Sequence, residues 1–114
     1  MVSEKDRHCM ERALAEIKAI EGYSQELSYK EFLEDAKTLD ATMFRLQQMA
    51  EWIKKLSPSF KEEHPEIPWG EIVGFRNGIV HEYAKTDYTT VYEIITKDIF
   101  ELRKLFALSL EKRD

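Results

Sequence analysis

Polar side chains with catalytic chemistry crowd one short segment of the 114-residue chain, residues 75–83 (FRNGIVHEY). Arg76 could grip phosphate oxygens with its planar fork and stabilise charge that develops on them. His81 titrates near neutral pH and could carry protons to or from a hydroxyl or a leaving oxygen. Asn77 could orient either group. These residue types suit the cleavage of a phosphodiester.

The spacing of these residues leaves a plainer interpretation open. On a helix Asn77 and His81 share a face, whereas Arg76 and His81 lie about 140° apart around the axis. A long arginine side chain can still reach a ligand between them. Alternatively, Arg76 forms a surface salt bridge and His81 caps a helix end. Spacing alone favours this alternative, because one arginine and one histidine five residues apart are common.

Three glycines, Gly70, Gly74 and Gly78, recur every four residues and line one face of the same predicted helix. Each glycine costs about 1 kcal/mol relative to alanine inside a helix, so three in one short helix need a reason. Close packing against a neighbouring helix is the simpler reason. Close approach of a second subunit or of a nucleotide backbone is the alternative.

Helical periodicity runs along nearly the whole chain and predicts an all-α protein. The first helix should extend from about Glu4 to Glu21, with Gly22 as its C-terminal stop. An apolar stripe from Ala36 to Leu56 predicts one long helix, closed by Ser57-Pro58 because a residue before proline avoids helical angles. Residues 58–68 read as a connector with at most one short turn.

Two capping boxes mark further helix starts, one at Ser28 with Glu31 and one at Thr90 with Glu93. Pro68 should begin the shorter helix, which runs to about His81 and carries the candidate residues. No segment alternates convincingly as a strand. The sequence predicts a single domain over residues 1–114, folded as an antiparallel bundle of four to five helices.

Composition and charge restrict the function. The chain is 43% hydrophobic, and we find no apolar run of the length that a membrane span needs and no signal peptide. A lone cysteine, Cys9, indicates a reducing cytoplasm. The net charge of −5 argues against a general nucleic-acid coat, because nonspecific affinity comes from neutralised phosphates. An enzyme that holds RNA at one local basic site remains possible.

Several common catalytic or cofactor motifs do not occur. The sequence has no P-loop, no nucleophile elbow and no histidine spacing suited to zinc, so we expect neither a metal nor a cofactor. We interpret His8 as an exposed helix residue, His64 as a solvated loop residue of the connector and Cys9 as a small packing residue. The methionines are interpreted as core residues.

The segment from Arg76 to Tyr83 resembles the R-x-x-x-x-H-x-Y motif of HEPN-domain proteins. More narrowly, the chain is similar to the HepT branch, the toxin half of the HepT–MntA toxin–antitoxin system. The resemblance extends to residues 32–35 (FLED), 65–69 (PEIPW) and Asp87-Tyr88, and it covers roughly residues 14–105. Trp52 stands where the resemblance implies a small residue.

The resemblance implies a homodimer in which the motifs of two subunits meet across a shared cleft. It implies a metal-independent endoribonuclease in which the ribose 2′-hydroxyl attacks the adjacent phosphate. Arg76 would stabilise the phosphate, His81 would move protons, and Asn77 would orient the substrate or His81. Tyr83 would be the tyrosine that an MntA-like nucleotidyltransferase antitoxin adenylylates, which would block RNA entry.

Two other functions fit the same residues less completely. In one, the chain is a non-catalytic nucleotide- or partner-binding subunit of a two-component nucleotidyltransferase, and Arg76 merely holds a phosphate. The acidic charge slightly favours this alternative. In the other, the chain is a structural helical adaptor, which leaves the motif and the glycine face unexplained.

Overall fold

The computed structural model describes residues 2–24, 26–74 and 88–111, and most of this part of the chain is helical. The elements in chain order are α1 (Glu4–Ser24), α2 (Tyr29–Glu34), α3 (Ala36–Lys54), α4 (Pro58–Glu62), the helical residues 69–74, α5 (Tyr88–Glu93), a π-helical segment (Ile94–Asp98) and α6 (Ile99–Glu111). The described ranges contain no strand, and the predicted all-α class is confirmed.

Helices α1 and α3 form the most extensive helix pair and run antiparallel. At one end, Ser57, just beyond α3, donates its backbone N–H to Asp6 near the start of α1, at 2.8 Å. Further along, the Arg45 guanidinium lies 3.3 Å from the Glu16 carboxylate. The pairing of early α1 with late α3 therefore follows the predicted antiparallel arrangement.

Helix α6 also runs antiparallel to α1 and closes the other side of the bundle. Arg7 donates to the backbone carbonyl of Leu110 at 2.9 Å, and Arg103 donates to the Glu21 carboxylate at 3.1 Å. The first contact satisfies one of the carbonyls that a helix leaves open at its C-terminal end.

The predicted apolar stripes are buried in one shared core. The largest buried side chains, each under 2% exposed, come from α1, α2, α3, the helical residues 69–74, α5 and α6: Met10, Ile17, Ile20, Phe32, Leu46, Met49, Ile53, Ile72, Val91, Ile99, Leu102 and Phe106. The interpretation of Met10, Met43 and Met49 as core residues is confirmed, since each is at most 3% exposed. No helix in the described ranges is long and apolar enough to cross a bilayer.

The first predicted capping box is confirmed at α2. Ser28 accepts from the Glu31 backbone N–H at 3.2 Å, and Glu31 accepts from the Ser28 backbone N–H at 2.9 Å. Asp35 then separates α2 from α3 and caps α3 through Thr38. The short turn predicted within the connector is the helix α4. With α4 included, the described ranges contain more helices than the four or five that the sequence predicted.

The predicted stop at Gly22 is wrong, because α1 continues through Gly22 to Ser24. There the Ser24 hydroxyl donates to the Ile20 carbonyl at 2.8 Å, and Leu27 N–H donates to the Ser24 carbonyl at 3.1 Å. Glu26 adopts the left-handed conformation that usually favours glycine, with a φ of 74°. The chain therefore reverses at Glu26, four residues after Gly22, where the sequence predicted the end of the helix.

The second predicted capping box, Thr90 with Glu93, is also wrong. Thr90 is the third residue of α5, and an N-cap residue must have a non-helical backbone. A helix already formed at Tyr88 leaves no place for a cap two residues later. Sequence periodicity also missed the π-helical segment, in which the Ile99 N–H donates to the Ile94 carbonyl.

Candidate functional site

The four candidate site residues, Arg76, Asn77, His81 and Tyr83, lie outside the described residues, as do Phe75 and Gly78. The structure describes the segments on both sides of them. These flanks define how the motif is attached to the bundle.

The segment before the motif is anchored by Trp69. Its indole N–H donates to the carbonyls of His64, at 2.9 Å, and Lys61, at 3.2 Å. The ring stacks on the buried Phe106 of α6, with centroids 6.4 Å apart and an interplanar angle of 24°. Ile72, one turn later, is 1% exposed. The helix that leads into the motif is therefore fixed against both the connector and α6.

Two of the three glycines predicted to share a helix face lie on the helical residues 69–74. Gly70 and Gly74 are exposed there, and a Cβ at either position would meet no described atom within 4 Å. Among the described residues, neither glycine packs closely against a neighbouring helix. Gly78 lies outside the described residues.

The segment after the motif is tied to α2. The hydroxyls of Thr89 in α5 and Tyr29 in α2 lie 2.9 Å apart. Tyr92, one turn further, donates its hydroxyl to the Leu27 carbonyl at 2.7 Å, and its ring packs edge-on against Tyr29 and obliquely against Phe32. The described segments before and after the motif are thus each held by side-chain contacts to neighbouring elements.

The charges on these flanks are mainly acidic. Burial raises the pKa of the Asp98 carboxyl in the π-helical segment, and the nearby carboxylates of Glu71 and Glu93 raise it further. Lys97 partly offsets these effects. Glu71 lies on the helical residues 69–74, so negative charge gathers beside the segment that precedes Arg76 in sequence. A phosphate held by Arg76 would need further positive charge.

Two of the three residues that we interpreted as non-catalytic fit those interpretations fully. Cys9 is buried at 3% exposure, and burial raises the pKa of its thiol, which disfavours the reactive thiolate. His8 is exposed and meets the Trp52 ring edge-on at 5.4 Å. His64 lies in the connector, 3.5 Å from the Glu66 carboxylate, but it is half-buried rather than solvated because its ring packs on Phe60 at 4.8 Å.

Trp52 is accommodated at a half-buried position between two cations. The Lys55 ammonium lies 4.7 Å from the ring centroid and the Arg12 guanidinium carbon lies 5.6 Å from it. Both distances allow cation–π attraction. The bulky side chain thus covers the α1–α3 seam from outside, and a small residue is not required there.

Sequence reasoning missed the anchoring role of Trp69. Its position directly after Pro68, at a helix start, was the available signal. The contact to Phe106 joins residues 37 positions apart, and nothing in local spacing indicates it.

The described residues form an all-α bundle, and the sequence between its two described flanks contains the motif from Arg76 to Tyr83. Residues 13–107 match the family described as ribonuclease HepT-like. The chain therefore belongs to the HepT-like family of ribonucleases.

Two relatives illustrate the match. "Putative RNase TTE0752" of Caldanaerobacter subterraneus subsp. tengcongensis is 35% identical over 86 residues, which cover 75% of this chain and 77% of the relative. "Probable ribonuclease HepT" of Thermococcus cleftensis is 33% identical over 90 residues, which cover 79% and 82% of the two chains. No solved structure gives a significant match.

Proposed function

We propose that this HepT-like protein is a metal-independent endoribonuclease and the toxin of a cytoplasmic toxin–antitoxin pair. The observation that carries the proposal is the family match over residues 13–107, which includes the whole motif from Arg76 to Tyr83. Residues 1–114 would form a single domain that pairs with a second copy, so that two motifs face one cleft.

In the proposed reaction the ribose 2′-oxygen attacks the adjacent phosphorus and the bond to the 5′-oxygen breaks. The products are a 2′,3′-cyclic phosphate and a 5′-hydroxyl, and the proton lost by the 2′-hydroxyl is balanced by the one that the 5′-oxygen gains. His81 carries a proton in this exchange. Arg76 stabilises the charge on the phosphate oxygens, and Asn77 orients the substrate or His81.

The anchored flanks support this assignment of roles. Catalysis by positioned side chains depends on geometry that is set before the substrate arrives. Trp69 holds the start of the leading helix through two hydrogen bonds, and Thr89 holds the start of α5 through Tyr29. The described segments on either side of the motif are thereby held to the rest of the bundle.

Control of the toxin would act at Tyr83. The partner is a nucleotidyltransferase antitoxin of the MntA type. The Tyr83 oxygen attacks the α-phosphorus of ATP, pyrophosphate leaves, and the phenolic proton is lost. The attached AMP adds bulk and negative charge beside Arg76, so RNA is excluded by sterics and by like charge.

The nuclease proposal is tested by RNA cleavage in excess EDTA with wild-type protein and His81→Ala. We expect 2′,3′-cyclic ends from the wild type and a loss of at least about 100-fold in the variant, since general acid–base catalysis contributes about 10²–10⁴-fold. His8→Ala is the matched control, because His8 is an exposed histidine on α1. It should retain wild-type cleavage.

The alternative function is a non-catalytic subunit of a two-component nucleotidyltransferase. The net charge of −5 and the acidic groups around Asp98 favour it. Folded protein that is unmodified at Tyr83 and cleaves none of several RNAs would contradict the nuclease proposal and support this alternative. Growth arrest on expression that Arg76→Ala abolishes would exclude the alternative.

A further inference from the structure

A pocket of about 490 Å³ opens where the end of α1 meets α5 and the π-helical segment. Its size falls within the range of small-molecule sites, about 300–1,000 Å³. One side is formed by the end of α1 and the following turn, and the other by residues 92–103; the lining residues are Glu21, Ser24, Glu26, Leu27, Tyr92, Ile95, Thr96 and Arg103. None of them belongs to the motif.

The apolar part of the pocket is rigid. Tyr92 is held by its hydrogen bond to the Leu27 carbonyl and by ring contacts to Tyr29, at 5.3 Å, and Phe32, at 5.8 Å. Ile95 beside it is 7% exposed. A flat aromatic ring could lie against this wall without rearranging it.

The hydroxyl groups of the pocket can only accept further hydrogen bonds. The Ser24 hydroxyl donates to the Ile20 carbonyl at 2.8 Å, and the Thr96 hydroxyl donates to the Tyr92 carbonyl at 2.7 Å. The Tyr92 proton is committed to Leu27 in the same way. Each hydroxyl has a single proton, so only lone pairs remain for a ligand.

Carboxylates add to these acceptors. Glu26 is exposed on the pocket rim, and its carboxylate forms no hydrogen bond or ion pair with another described residue. Glu21 accepts from Arg103 through one oxygen. A ligand beside Glu21 and Glu26 must therefore present N–H donors, because these carboxylates only accept hydrogen bonds.

Arg103 is the one cation that lines the pocket within the described residues. Its Nε donates to Glu21 at 3.1 Å, which fixes the plane of the guanidinium. Its terminal amino groups form no hydrogen bond with a described residue, so they remain available for a ligand. The pocket thus combines two donors from one arginine with several acceptors from the opposite side.

We propose that this pocket binds a guanine base of the RNA substrate, an inference that rests on the proposed function. Guanine presents N1–H and the N2 amine on one edge and the acceptors O6 and N7 on another. Arg103 pairs with O6 and N7, the most common arginine contact to a base, while Glu26 accepts from N1 and N2. Among the four RNA bases, only guanine offers two adjacent donors to a carboxylate.

The wall of the pocket belongs to the helical segment that follows the motif in sequence. Tyr92 is four residues beyond Tyr88, the first described residue after the motif, which is about 6 Å along the helix axis. A guanine bound in the pocket would select the substrate by its base and favour cleavage at a fixed position relative to that base.

The first test measures nucleotide binding, which needs no cleavage. We expect guanosine 5′-monophosphate to bind at least about tenfold more tightly than adenosine 5′-monophosphate, with inosine 5′-monophosphate in between because it lacks the N2 amine. Glu26→Gln and Arg103→Lys should each weaken guanosine monophosphate binding about tenfold. Glu101→Gln, an exposed glutamate of α6 outside the pocket, should leave it unchanged.

The second test maps cleavage ends on random-sequence RNA. Guanine enriched at one fixed position, and lost in Glu26→Gln, supports the proposal. Equal binding of the guanine and adenine nucleotides, with cleavage that shows no guanine preference, overturns it and leaves the nuclease intact. Guanine-selective binding without any cleavage has the opposite meaning. It supports guanine binding in the pocket and contradicts the proposed ribonuclease activity.

Discussion

At the scale of single residues, Asp98 is a carboxylate whose environment opposes its charge. It lies in the π-helical segment, where burial and the carboxylates of Glu71 and Glu93 raise its pKa. Glu71 belongs to the helix that leads into the motif. The charge state of Asp98 therefore influences how tightly that helix is held to the bundle.

We expect Asp98→Asn to raise the melting temperature at pH 7 and to lose this advantage as the pH falls. A raised carboxyl pKa means that the folded state holds the proton more tightly than the unfolded state. The wild-type carboxyl thus stabilises the fold fully below the unfolded pKa and loses that contribution as pH rises through the folded pKa. Melting curves from pH 3 to pH 8 measure the difference.

The control for this prediction is Glu101→Gln, which removes a charge from an exposed position of the neighbouring α6. Its melting temperature should follow that of the wild type at every pH. A gap between Asp98→Asn and the wild type that stays constant with pH would contradict the prediction.

At the scale of elements, the helix ends are joined to one another by polar side chains. Asp6 is 4% exposed and accepts both from the Ser57 backbone N–H, at 2.8 Å, and from the Ser57 hydroxyl, at 2.5 Å. The same hydroxyl caps α4 by accepting from the Phe60 N–H. One carboxylate thus fixes the start of α1 to the junction between α3 and α4.

Replacing Asp6 by alanine should lower the free energy of unfolding by about 2 kcal/mol, because two partly buried donors lose their acceptor. Urea denaturation measures the change. Glu4→Ala, in the same first turn but exposed, should stay within about 0.5 kcal/mol of the wild type. Equal losses in the two variants would show that the junction does not depend on this contact.

At the scale of the whole molecule, one core includes residues from every long helix of the described ranges and from the helical residues 69–74. Phe106 is fully buried in α6, and the Trp69 ring stacks on it. Loss of the Phe106 side chain would therefore weaken both the bundle and the anchor of the segment that precedes the motif.

Phe106→Ala should cost about 3–5 kcal/mol, the usual range for emptying a buried phenylalanine site. Phe100→Ala is the matched control on the same helix, since Phe100 is 47% exposed and should cost far less. Chemical denaturation compares the two. A small loss at Phe106 would mean that the core closes around the cavity and that Trp69 does not depend on it.

Most of the bundle was predictable because its signals are local. The apolar stripes of α1, α3 and α6 and the capping box of Ser28 with Glu31 depend on spacings of three or four residues, and Ser57-Pro58 marks the end of the long helix. Two local signals failed. Gly22 is a residue type that suits a helix stop and Thr90 one that suits a cap, but the surrounding helices continue through them because tertiary packing outweighs such preferences.

The sequence by itself determined the helical class, the buried faces and the residue types of the motif from Arg76 to Tyr83, because each follows from side-chain chemistry at short spacing. Only the tertiary structure decided what joins distant segments. The stacking of Trp69 on Phe106, the π-helical segment and the pocket between Glu26 and Arg103 depend on how α5 and α6 dock against α1 and the connector. Contacts between residues tens of positions apart leave no periodic trace in a single sequence, so folding alone brings them together.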